Sequence, residues 1–172
     1  MPAPAATRAI DPAGPSPITS GPGGPKINPA TGLSTDYLNH FTEAAMVLDM
    51  AGVAPECLGE LDAWQPKTYT EHYATSRFSN RDAIVAAYKS ADPAVRAALD
   101  RTAGLLNALV ARTCDLLGQN AGTPKAAEIA RRASERLRPL IARTAALING
   151  TAVGAADRQG PQAEIDAMFR GP

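Results

Sequence analysis

The chain has 172 residues, 45% of them hydrophobic, which is enough for one domain with a buried core. Its 17 basic and 17 acidic residues cancel, so no global charge argues for nucleic acid or an anionic membrane as partner. Two cysteines, Cys57 and Cys114, are too few for a disulfide framework, and there is neither a membrane-length apolar run nor a hydrophobic stretch behind Arg8 to act as a secretory signal. A cytoplasmic location is therefore expected.

The first thirty residues hold eight of the fifteen prolines, together with Gly14, Gly21, Gly23 and Gly24. That composition denies the backbone a regular ladder, and residues 1–33 are read as a disordered arm. Its SGPGGPK stretch lacks the Gly-Lys-Ser/Thr ending of a phosphate loop. Order is expected to begin at Ser34, where Ser34 or Thr35 can cap and Tyr37, Phe41, Ala45 and Leu48 follow at helical spacing up to Gly52.

PECLGELDAW predicts a short second helix with Pro55 in its first turn. Thr68 with Glu71, and Ser79 with Asp82, fit the capping-box spacing and predict two further short helices. Trp64, Tyr69, Tyr73, Phe78 and Tyr88 in this region either line a ligand groove or, as assigned here, form the aromatic part of the core, where an alanine-rich chain needs large rings.

Two longer helices follow. Asp92-Pro93 supplies a cap and a first-turn proline, and Val95, Leu99, Thr102, Leu106, Leu109, Thr113 and Leu116 recur at alternating spacings of four and three. Thr123-Pro124 opens the next helix, with Ile129, Ala133, Leu137, Ile141, Thr144 and Ile148 on one side. Pro139 inside it predicts a kink near Glu135, and Asn149-Gly150 a stop. Their short connection makes the pair an antiparallel hairpin. The expected fold is all-α: a helical bundle over 34–150 built on that hairpin, then a linker over 151–160 and a short helix within 161–172.

Charge is unevenly spread. From Thr31 to Pro66 there are six acids and no Lys or Arg, whereas Pro124 to Asn149 carries six bases against Glu128 and Glu135. The two regions are expected to be solvated faces of opposite sign, or surfaces that pack together or attract a partner. His40 and His72 are the only histidines, and neither lies in a metal-ligand pattern; His40 with Glu43 reverses the Glu-x-x-His order of di-iron bundles. Glu43 beside His40 also opposes phosphorylation of that ring. No cofactor is expected.

The end of the chain is more pointed. In a helix over 161–169, Pro161 suits the first turn, Glu164 and Asp166 favour the N-terminal end, and Ile165, Met168 and Phe169 share one side. Gln162-Ala163-Glu164-Ile165-Asp166-Ala167-Met168-Phe169 resembles the SQxEIDALL receiver-binding peptide of the flagellar motor-switch protein FliM and the related peptide ending the chemotaxis phosphatase CheZ. Pro161 stands where serine is usual, and Met-Phe where Leu-Leu is usual. The resemblance implies that Ile165, Met168 and Phe169 fill a groove on a CheY-like receiver domain, and that Glu164 and Asp166 meet its lysines. It also implies a dimer through the helical hairpin. The phosphatase family carries an Asp-x-x-x-Gln pair in DLTGQ whose glutamine orients the attacking water. Asp115 and Gln119 of DLLGQ are similar to that pair, but end the first arm of the hairpin instead of lying within the second.

Three functions follow as expectations: a non-enzymatic adaptor that presents its tail to a response-regulator receiver, a receiver phosphatase using Asp115 and Gln119, or a structural subunit of a larger helical assembly.

Overall fold

The computed structural model of the chain describes residues 26–151. A 3-10 segment, Thr35–Leu38, leads into α1 (Asn39–Met50), and a second, Pro55–Leu61, follows it. The remaining helices are α2 (Tyr69–Ala74), α3 (Arg81–Ser90), α4 (Pro93–Gln119) and α5 (Pro124–Ile148). The only β feature among the described residues is an isolated antiparallel bridge between Ile27 and Ser34. The fold is all-α.

The predicted hairpin is the frame. α4 and α5 pack along each other, and α1 lies across them, mainly against α5. Leu99, Leu106, Leu109, Leu137 and Ile148 are fully buried in one cluster with Leu33, Tyr37, Phe41, Leu48 and Ile84. The threonines in the two stripes enter this core because each hydroxyl donates to its own helix: Thr102 to the Leu99 carbonyl, Thr113 to Leu109 and Thr144 to Leu140, at 3.0, 2.7 and 2.8 Å. No buried donor is stranded by them.

The punctuation acts as the residues suggest, with one exception. Asp92 caps α4 by accepting from the Ala94 and Val95 amides at 2.7 and 3.3 Å, and Pro93 occupies the first turn. Thr68 and Glu71 form the reciprocal capping box of α2. The Ser79–Asp82 box does not form: α3 starts one residue later, with Asn80 at the cap position. At the end of α5, Gly150 adopts a φ of 71°, its amide donates to the Leu147 carbonyl and the Thr151 amide to Ala146. This paired closure satisfies carbonyls that a helix end leaves bare. α5 runs unbroken through Pro139.

The arm boundary needs correction. Residues 27–33, assigned to the arm on composition, belong to the folded unit. The Asn28 amide donates to the Leu33 carbonyl at 2.7 Å and Gly32 donates back to Asn28 at 2.8 Å. Thr31 Oγ1 donates to the Ile148 carbonyl at 2.5 Å, tying the turn to the last carbonyls of α5, and Leu33 is fully buried. Gly32 has a φ of 70° and leaves only 3.1 Å between an added Cβ and the Ala87 carbonyl of α3, so this turn requires glycine.

The two oppositely charged stretches are in contact where α1 packs on α5. Asp49 of α1 accepts from Ser134 and forms an ion pair with Arg138, both on α5. Within α5, Glu128 and Glu135 engage Arg131 and Arg132 one turn away. No helix among the described residues is long and apolar enough to cross a membrane.

Candidate functional site

Glu164, Ile165, Asp166, Met168 and Phe169 lie outside the described residues. Asp115 and Gln119 lie within them. Both are exposed and stand one turn apart near the C-terminal end of α4, where Asn120 closes the helix. Asp115 also lines a cleft of about 830 Å³ between the Pro55–Leu61 segment and the α4–α5 turn. Its walls include Leu58, Asp62, Trp64, Cys114 and Gly118, with Ala121, Gly122 and Ala126 across from them. The small residues of the turn leave this space because they carry too little side chain to fill it.

The cleft is acidic. Asp62 and Asp115 are the charged side chains among its lining residues, and no Lys, Arg or His lines it. Burial and then the two neighbouring carboxylates, Asp115 before Asp62, push the Cys114 thiol up from its ordinary pKa. Cys114 is therefore held as the thiol, which argues against a nucleophilic role at neutral pH.

A second cluster escapes the linear sequence. His40 on α1 and His72 on α2 are 32 positions apart, yet their ring centroids lie 6.0 Å from each other. The connecting loop over 62–68 brings them together. Trp64 stacks on His40 with centroids 4.8 Å apart and donates its indole N–H to the His40 backbone carbonyl at 3.2 Å. Asn107 of α4 then grips the Lys67 peptide from both sides: its carbonyl accepts from the Lys67 amide at 3.2 Å and its amide donates to the Lys67 carbonyl at 3.0 Å. The Tyr37 hydroxyl donates to that same carbonyl at 2.7 Å. The loop is thus anchored at Trp64 and at Lys67.

Underneath is a layer of rings. Tyr37 meets Phe41, Tyr69 and His72 edge-on at 5.3 to 5.5 Å, and Tyr73 meets Tyr69 and His72 at 4.9 and 5.0 Å. Tyr69 and Tyr73 are core residues as expected, whereas Trp64 and Tyr88 are only partly buried and Phe78 is 43% exposed. The Tyr69 hydroxyl accepts from the Ser34 amide at 2.8 Å. The Tyr88 hydroxyl donates to the Asp100 carboxylate; burial and then that carboxylate push it up to about 12.

This layer sets the state of the histidines. Burial is the main cause that lowers the His40 pKa to about 4, with repulsion from His72 and Lys67 adding to it and a hydrogen bond to the Gln65 backbone opposing it. His72 is lowered by burial and then by Lys67, against the pull of the Asp36 carboxylate. Both rings are neutral at pH 7. The Nε2 atoms of both are buried and have no hydrogen-bond partner. The short 3-10 and α2 elements that create this proximity leave no periodic trace linking position 40 to position 72, so linear spacing cannot reveal it.

No cluster of three or more His, Cys, Asp or Glu side chains among the described residues is arranged to hold a metal. No protein-family profile, curated protein or solved structure matches the chain.

Proposed function

We propose that this protein is a non-enzymatic adaptor whose helical body presents the segment Gln162–Phe169 to a response-regulator receiver domain. The observation that carries the reading is the octapeptide itself: an acidic first turn and an apolar trio, Ile165, Met168 and Phe169, spaced for one helix side. The organisation of the chain is compatible with it. α5 is closed at Gly150, and ten residues, 151–160, separate that closure from Pro161. Nine residues are too few for a stable isolated helix in water, so such a segment acquires its helix on the surface that binds it. Burying three large apolar side chains there contributes roughly 5–8 kcal/mol before ordering costs, which suits reversible micromolar binding.

A synthetic peptide covering Gln159–Pro172 is titrated into receiver domains with and without beryllofluoride. Saturable binding that strengthens with beryllofluoride supports the reading. Absence of binding below about a millimolar, together with a negative result for the full chain, overturns it.

The exposure and one-turn spacing of Asp115 and Gln119 favour a second reading, accelerated loss of the receiver's phosphoryl group. An amide at position 119 can orient a water without taking its proton. On this reading Gln119→Ala abolishes the acceleration and leaves tail binding intact. Unchanged phosphate release in the presence of wild-type protein rules it out.

A further inference from the structure

We propose that the acidic cleft between the Pro55–Leu61 segment and the α4–α5 turn binds an organic ammonium ion carried on a flat apolar body, of the arylalkylamine class. Its volume of about 830 Å³ suits a small molecule, and small-molecule sites join apolar walls to a few polar groups. Here the larger apolar walls are Leu58, Leu61, Leu117 and Trp64, and the charged lining residues are Asp62 and Asp115.

The two carboxylates come from different elements, Asp62 from the end of the Pro55–Leu61 segment and Asp115 from α4. Both act on the same space. Cys114 also lines the cleft, and its thiol is held up by burial, then by Asp115, then by Asp62. Among the described residues no ion pair engages either carboxylate, whereas Asp49, Glu128 and Glu135 each have an arginine. Anions left without a counter-charge beside an apolar wall attract a cation. A bare metal ion does not fit, because no group of three acidic, thiol or imidazole side chains among the described residues is placed to hold one. Separated acceptors suit an ammonium group, whose three N–H donors turn to either carboxylate.

Trp64 supplies the surface for the apolar body. His40 stacks on the indole with centroids 4.8 Å apart and planes inclined at 14°, and the indole N–H donates to the His40 carbonyl at 3.2 Å. His40 does not line the cleft, so the part of Trp64 that does is the remainder of the ring. A ring held in this way is a preorganised stacking surface, and its π-electrons add attraction for a nearby cation. The space is also open where the backbone does not require it. Gly59 and Gly118 line the cleft, a Cβ added at either meets nothing within 4 Å, and neither has a positive φ. Glycine is a poor helix former, so Gly118 weakens α4 with no steric need for it.

Trp64 is the only tryptophan of the chain, so its emission reports on the cleft directly. The full-length protein is titrated at neutral pH with phenethylamine and, for comparison at matched size, with neutral phenethyl alcohol and anionic phenylacetate, by fluorescence and calorimetry. The expected result is one amine per chain with a dissociation constant below about a millimolar, about fivefold weaker binding of the alcohol, and none of phenylacetate. Asp62→Asn and Asp115→Asn each weaken the amine about two- to fivefold and leave the alcohol unchanged, a split that a merely structural role does not produce. Gly118→Leu weakens amine and alcohol alike, about tenfold or more, by filling the space. If that variant fails to fold, the double variant Asp62→Asn/Asp115→Asn decides, since both side chains are exposed. Absence of saturable amine binding below about a millimolar overturns the proposal. So does equal binding of amine and alcohol, or undiminished amine binding by the double variant.

Discussion

At the scale of single residues, the histidine pair ties stability to pH. The unfolded chain takes up a proton on His40 near 6.5, while the folded protein refuses it until about 4. Between those values the unfolded state binds more protons, so stability is full above 6.5, declines as pH falls toward 4 and then levels off in this respect. His72 is shifted in the same direction. Denaturant melts across pH 4–7 should show the decline, and His40→Gln should flatten most of it. An unaltered slope in that variant would place the acid sensitivity elsewhere. Thr68 makes a separate prediction. Thr68→Ala removes the hydroxyl that accepts from the Glu71 amide and should cost about 1 kcal/mol, whereas Thr68→Ser should retain most of it, as read from urea midpoints. The Thr68–Glu71 box was legible in the sequence because it is a contact over three positions. The histidine pair was not, since its proximity depends on how a whole loop docks on Asn107.

Among elements, the α4–α5 hairpin was the most readable part of the fold. Its boundaries follow from Asp92-Pro93, Thr123-Pro124 and Gly150, and its stripes from apolar periodicity. The stripe on α4 nonetheless drifts: Leu116 was expected inside, but Leu117 is the buried residue at that level. A spacing of 3.5 residues slips by about 20° per heptad against the 3.6 of a straight helix, so after three heptads the inward position moves on by roughly half a residue or more. α3 begins one residue later than a Ser79 cap implies, with Asn80 at the cap position and no side-chain cap hydrogen bond there. Leu137 is fully buried at the centre of the helical core. Leu137→Ala should destabilise the protein by about 2–5 kcal/mol, with an unchanged helical spectrum before the transition. Asp49 supplies the contrast. Its pairing with Arg138 is largely exposed, so Arg138→Ala should cost no more than about 1 kcal/mol, and less at high salt.

For the molecule as a whole, the all-α class was fixed by helical periodicity and the absence of alternating segments. The start of the folded unit was misplaced because Asn28-Pro29 and Gly32 look like more of the arm's Pro/Gly composition, whereas in the structure they form a turn that ties residues 27–33 to the end of α5. Gly32→Ala should therefore destabilise the whole body, since it combines an unfavourable φ with a 3.1 Å approach to α3. The proposed function rests on the opposite end of the chain, and on the statement that Ile165, Met168 and Phe169 engage a foreign receiver. The most direct test compares the full chain with a variant carrying alanine at all three positions, each titrated into an isotopically labelled, beryllofluoride-activated receiver and followed by NMR. The account predicts saturable shifts confined to one receiver face with wild-type protein, and their loss with the triple variant while its melting temperature stays unchanged. Equal shifts from both proteins, or no shifts from either, would contradict it.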